Sequence, residues 1–170
     1  MKTLLPGTVN TRYADFEPHP FFAEWVLAVR ETHGETTVND LVAVNCTQGT
    51  VSVIASKYDF YSSPRFSSDG KLVCFLSWNE LNMPWTGSLL FIADWLEKGA
   101  IRDPRIVSGN LKGESVSQPR WGLEGRLLFF ASDASGFYQL YKTGRGVANR
   151  ITLPGLEYHD FSRPEWVLGW

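Results

Sequence analysis

One stretch of this chain occurs twice. Pro64-Arg65-Phe66, Ser68-Asp69-Gly70 and residues 71–77 are matched 55 positions later by Pro119-Arg120-Trp121, Leu123-Glu124-Gly125 and residues 126–132. Each copy is a short extended segment, a tight turn and a β-rich run. Asp-Gly between two such runs is a strong hairpin signal, because glycine takes the positive φ the turn needs and the aspartate bonds the turn backbone. Further on the register shortens, with Leu90-Phe91 matching Leu140-Tyr141 50 positions later, so the first copy carries five extra residues around Asn82-Met83-Pro84-Trp85. A third start, Pro164-Glu165-Trp166, follows 45 positions after Pro119. A repeat of this length with four short strands predicts the blades of a β-propeller, each unit burying its faces against its neighbours.

The expected fold class is therefore all-β, a partial β-propeller of about three four-stranded antiparallel blades. Residues 1–11 read as a flexible lead-in punctuated by Pro6-Gly7. Blades are expected at about 12–56, 57–113 and 114–156, with the start of another at 157–170. In the first, residues 12–16 are the innermost strand, 24–30 a second strand whose continuous apolar run 25–29 predicts burial on both faces, 32–37 a polar loop, and 41–45 with 51–54 a hairpin. In the second, Leu89, Ile92, Ala93 and Leu96 also fall at helical spacing, with Ser88 and Gly99 as possible ends of a helix. The repeat decides for a strand, since the matching segment 137–142 is too short and too aromatic for a helix. Residues 105–108 then form the outer strand. The third blade is expected to use 117–121, 126–132, 137–142 and 147–152.

Composition excludes several function classes. Net charge is −2 with both signs interspersed, so no basic footprint for nucleic acid exists. No apolar run reaches membrane-spanning length. Cys46 and Cys74 fit neither a disulfide framework nor a metal site and read as small buried hydrophobes in a reducing compartment. The sequon Asn45-Cys46-Thr47 is preceded by no secretory signal, so the expected location is cytoplasmic.

Six segments together carry a family resemblance: residues 12–16, 25–31, 59–65, the Asn82-Met83-Pro84-Trp85 loop, Ser135-Gly136-Phe137 and residues 161–164. In order and spacing they resemble the propeller of prolyl-oligopeptidase-family serine peptidases, more closely the dipeptidyl aminopeptidase and acylaminoacyl-peptidase type. The resemblance runs from about Arg12 to the C-terminus. It implies a propeller that restricts access to a C-terminal α/β-hydrolase domain. That domain needs a Gly-x-Ser-x-Gly nucleophile elbow, which these 170 residues do not contain.

No catalytic residue, metal ligand or cofactor is expected in this chain. His159, Asp160 and Ser162 do not read as a triad, because neighbouring side chains on an extended segment point to opposite faces, so His159 and Asp160 diverge rather than share a hydrogen bond. Glu31, His33 and Glu35 alternate like strand ligands but read as a solvated loop, and Gly144-Arg145-Gly146 has no following helix to cradle phosphate. Trp78, Asn82, Met83, Pro84 and Trp85 form the candidate binding surface; their aromatic and thioether groups either meet a partner or pack the long loop onto its own blade. Family propellers have more blades, and an open arc leaves its two end faces uncovered. Expected partners are accordingly a second copy of the chain, or the rest of a propeller and its hydrolase domain, with a peptide or small molecule on the loop face. A stand-alone binding module, or an enzyme of unrelated chemistry with a pocket between blades, is the alternative.

Overall fold

The computed structural model describes residues 8–144 and 146–162. Three four-stranded antiparallel sheets follow one another along the chain. The first holds β1 (Thr11–Pro18), β2 (Trp25–His33), β3 (Thr37–Asn45) and β4 (Thr50–Ala55). The second holds β5 (Phe60–Phe66), β6 (Leu72–Trp78), β7 (Leu89–Leu96) and β8 (Ala100–Gly109). The third holds β9 (Val116–Trp121), β10 (Leu128–Ser132), β11 (Gln139–Thr143) and β12 (Asn149–Arg150). Each is a meander in which every strand pairs with the next in sequence, the arrangement of a propeller blade. Residues 89–96 are a strand, as the repeat requires.

Four expected boundaries need correction. The segment 32–37 is not a polar loop, because β2 and β3 stay paired out to His33 and Thr37, leaving a tip of three residues. The outer strand of the second blade runs over ten residues, since β8 pairs along the whole of β7. The outermost strand of the third is cut to Asn149–Arg150. The innermost strand of the first blade starts one residue early and runs longer, over Thr11–Pro18. The third start at Pro164-Glu165-Trp166 lies outside the described residues, as does Arg145.

Blades stack through their faces, which explains the continuous apolar runs. Every residue of β6 is buried: Val73 and Phe75 point into the core shared with the first blade, and Leu72, Cys74 and Leu76 into the core shared with the third. The first interface joins Trp25, Leu27, Val29 and Leu41 to Tyr61, Phe66, Phe75 and Trp95. The second joins Leu90 and Ile92 to Val116, Leu128 and Phe130. Burying each such aliphatic or aromatic side chain stabilises by roughly 1.5–3 kcal/mol, so these two interfaces carry most of the hydrophobic stabilisation. Cys74 is one of these core residues, and burial pushes its thiol up to about 12, which makes it inert.

The innermost strands share one irregularity. In each, a residue at positive φ, Asp15 (53°), Ser63 (52°) or Gln118 (52°), accompanies a register shift. Two positions further on stand Glu17, Arg65 and Arg120, which pair with Leu27, Cys74 and Phe129 respectively. Of these side chains, Glu17 reaches forward to the second blade and Arg65 reaches back to the first. Glu17 accepts the Phe66 N–H at 3.3 Å and lies 3.9 Å from Arg65, while Asp15 takes the Ser63 N–H and Arg65 at 3.3 Å. Burial raises the Glu17 carboxyl above its ordinary range, with Arg65 opposing. The Arg65 carbonyl in turn accepts Trp121 Nε1–H at 3.1 Å from the third blade.

A buried histidine latches the other end of the first interface. His19 Nδ1 accepts the N–H groups of Phe21 and Phe22, both at 3.1 Å, so the ring proton sits on Nε2 and is donated to the Gly70 carbonyl at 3.1 Å. Gly70, at φ 68°, has no Cβ to strike the ring, since one placed there would lie 2.5 Å from its Cε1. Burial holds His19 below its ordinary pKa, against the opposing pull of Gly70 and Glu24. Because the folded-state pKa lies under the unfolded value of about 6.5, this latch is complete above that pH and lost as pH falls towards the folded value. Urea midpoints of the native chain should therefore drop between pH 7.5 and 5.5 more steeply than those of His19→Gln. Parallel pH profiles for the two proteins would remove the latch.

Candidate functional site

The connections between second and third strands, and between the outer strand and the next blade, open on one face. There residues 79–88 lie beside 56–59, 133–138 and 156–161. Trp78 anchors the long loop at the end of β6, buried and stacked on Phe60 with ring centroids 5.6 Å apart at 15°. Asp59 then holds the chain on its way out: its N–H goes to Asn79 Oδ1 at 3.3 Å and its Oδ2 accepts the Glu80 N–H at 2.8 Å.

Beyond this anchor the loop has two halves. Its tip carries Leu81, fully exposed and at φ 78°, a left-handed backbone that costs a non-glycine residue about 1–3 kcal/mol. Met83 is also exposed, Asn82 is half-buried, and a turn closed by Thr86 Oγ1 on the Met83 N–H and carbonyl follows. The second half belongs to the neighbouring blade. The Pro84 carbonyl accepts Ser115 Oγ–H at 2.7 Å, and Ser115 Oγ accepts the Tyr138 phenol at 2.8 Å. Ser88 pairs with the Glu114 carbonyl at 3.0 Å and, through its hydroxyl, with both backbone groups of Val116. Pro84 and half-buried Trp85 thus seal the junction of blades two and three over a pocket of about 10 Å³, room for about one water.

Around the seal, polar groups are committed to structure. Asp133 accepts the Ser115 N–H at 2.7 Å; burial raises its carboxyl, and Glu114 and Asp160 add to the effect. Glu114 Oε1 receives Ser108 Oγ, Gly109 N and Ser132 Oγ at 3.0, 3.1 and 2.8 Å. Asp160 takes the Tyr138 N–H at 2.7 Å, and Ser162 Oγ meets Ser117 Oγ at 2.8 Å. His159, Asp160 and Ser162 therefore engage separate partners. Gly113-Glu114-Ser115-Val116-Ser117 comes nearest to a nucleophile elbow, yet Ser115 is 1% exposed on a segment entering a strand, with its hydroxyl spent on Pro84.

Five residues formed the sequence-derived surface, and the structure divides them. Trp78 is a buried anchor, Pro84 and Trp85 an inter-blade seal, and Asn82 and Met83 belong to the projecting tip. Leu81 was missed, because nothing in a local pattern marks a leucine at positive φ. Glu31 and His33 lie on strand β2 rather than on a solvated loop, with His33 Nε2 2.6 Å from Glu31 Oε1. No cluster of three metal-ligating side chains occurs among the described residues, and no helix there is long and apolar enough to cross a membrane.

Three consecutive four-stranded blades, bulged alike and stacked face to face, define a portion of a β-propeller. No family model matches the chain, and no curated protein does. Among solved structures it is similar to a Mycobacterium tuberculosis puromycin-hydrolyzing peptidase, at 28% identity and a TM-score of 0.85 over 98% of this chain. A puromycin hydrolase is similar at 26% identity and a TM-score of 0.85 over 99%. In both cases the chain spans 27% of the relative's length. The chain is thus similar to a propeller portion of prolyl-oligopeptidase-family peptidases. The propeller domain of the Trilobed protease from Pyrococcus furiosus, at 14% identity and a TM-score of 0.53, shares the fold.

Proposed function

We propose that this chain is a non-catalytic propeller segment that serves as the substrate-gating wall of a prolyl-oligopeptidase-type peptidase, of the dipeptidyl aminopeptidase or acylaminoacyl-peptidase kind. The observation that carries this reading is the likeness itself, which takes in nearly all of this chain but only 27% of each peptidase. The serines, carboxylates and tyrosine on the loop face support it, being held in structural hydrogen bonds rather than poised for proton transfer. The strained, exposed tip at Leu81 and Met83 is the part of that face offered to a partner or substrate.

A second reading concerns what covers the two ends of the arc. Phe16, Val38 and Val53 are exposed on the face of the first blade turned away from the second, and Phe129 on the far face of the third. Covering such a face needs a partner burying roughly 800 Å² per side. A second copy of this chain, or further blades, would present matching β surfaces.

One preparation tests both readings. Purified chain is expected to show no turnover of aminoacyl or acylaminoacyl reporters and no labelling by a fluorophosphonate; turnover with a labelled serine would overturn the non-catalytic reading. In light scattering at micromolar concentration the same material is expected to be larger than one chain. A monodisperse folded monomer would sink self-association.

A further inference from the structure

Between the first and second blades, on the loop face, lies a cleft of about 350 Å³ that the peptidase reading does not use. Its size falls near the lower end of small-molecule sites, roughly 300–1,000 Å³. The floor is apolar, formed by Val29 and the ring of Tyr61, both buried. One wall is the stacked pair Phe60 and Trp78, of which Phe60 is 37% exposed. Opposite stand Arg12 and Glu31, and behind them His33.

We propose that this cleft binds a small aromatic carboxylate. The aromatic wall takes the ring of the ligand, in offset-stacked or edge contact. The charged wall selects the head group. Glu31 Oε1 is already met by His33 Nε2 at 2.6 Å and by Arg12 Nη1 at 3.9 Å, so an incoming ammonium would compete with two groups on that oxygen. Arg12 contacts both His33, at 3.2 Å, and Glu31 through the single atom Nη1. A guanidinium has five N–H donors, and its Nε and Nη2 edge can hold a carboxylate in two parallel hydrogen bonds. With a side chain 71% exposed, Arg12 can swing to the mouth of the cleft at little cost to the fold.

Titration calorimetry on the full chain with 3-phenylpropionate, phenethylamine and acetate as probes tests this, with melting temperature as the control for folding. Saturable binding of 3-phenylpropionate is expected, with phenethylamine and acetate each weaker. Arg12→Gln should weaken 3-phenylpropionate at least about tenfold, the loss of one charge-assisted bidentate contact, with an unchanged melting temperature. Arg12→Lys, which keeps the charge and loses the fork, should weaken it less, and Phe60→Ala should weaken it while leaving acetate unaffected. The proposal fails if 3-phenylpropionate does not bind saturably, if Arg12→Gln binds it as well as the native chain, or if phenethylamine binds as tightly. None of these outcomes bears on peptidase chemistry, so the cleft and the gating reading stand or fall separately.

Discussion

Trp95→Ala is expected to destabilise the chain by about 3–5 kcal/mol, the usual cost of deleting a large aromatic side chain from a packed interior. Trp95, on β7, is 8% exposed and lies at the centre of the first inter-blade core. Its ring meets Phe66 edge-on at 5.0 Å and Trp25 at 5.8 Å, and it touches the His19 latch at 6.0 Å. Removing it empties a volume that blades held by strand ladders on either side cannot close. The indole N–H adds a sharper test, because Trp95 Nε1 is buried without a hydrogen-bond partner among the described residues. Phenylalanine keeps most of the ring and deletes that unmet donor, so Trp95→Phe should lose far less than half of the alanine loss. Urea denaturation of the three proteins measures both steps. Equal losses for Phe and Ala would mean that the indole nitrogen is satisfied in solution.

Gly109→Ala is the second large effect, with an expected loss of more than about 3 kcal/mol. Gly109 ends β8 at φ 96°, and a Cβ placed on it would lie 2.0 Å from the Ser88 carbonyl oxygen and 2.9 Å from its carbonyl carbon. Those atoms are backbone and cannot swing aside. Ser88 is also where the long loop re-enters the sheet and clasps Val116 of the third blade, so the methyl would pry the Pro84–Trp85 seal from its seat. Gly136→Ala separates the two causes. Gly136 has a similar φ of 92° but nothing within 4 Å of the added carbon, so it should cost only the left-handed backbone penalty of about 1–2 kcal/mol. Thermal melts of both variants measure the difference, which is the clash. Similar losses at both positions would show that no close approach exists at the loop base.

Both effects were out of reach of local sequence patterns, although much else was legible. The repeat from Pro64 to Ser77 and from Pro119 to Ser132 settled the blade architecture, and it overruled the helical spacing of Leu89, Ile92, Ala93 and Leu96. It could do so because identical units must bury identical faces, a constraint that acts along the chain and is written in its periodicity. The two-sided burial of β2 was likewise visible in the unbroken apolar run 25–29.

Contacts between blades were not legible, because they join residues about 30 to 50 positions apart whose side chains say nothing singly about one another. Glu17 does not announce Phe66 and Arg65, nor Pro84 the hydroxyl of Ser115. The candidate loop shows the division clearly. Its five-residue surplus was plain from the repeat, and it marked Trp78, Asn82, Met83, Pro84 and Trp85 as one group. Only the packing of the second blade on its two neighbours separated a buried anchor and an inter-blade seal from a free tip, and added Leu81 to that tip. A sequence determines its own strand periodicity, because backbone pleat and side-chain polarity are local. Which aromatic residue is spent on holding blades together is decided by tertiary structure, since burial is a property of what lies opposite.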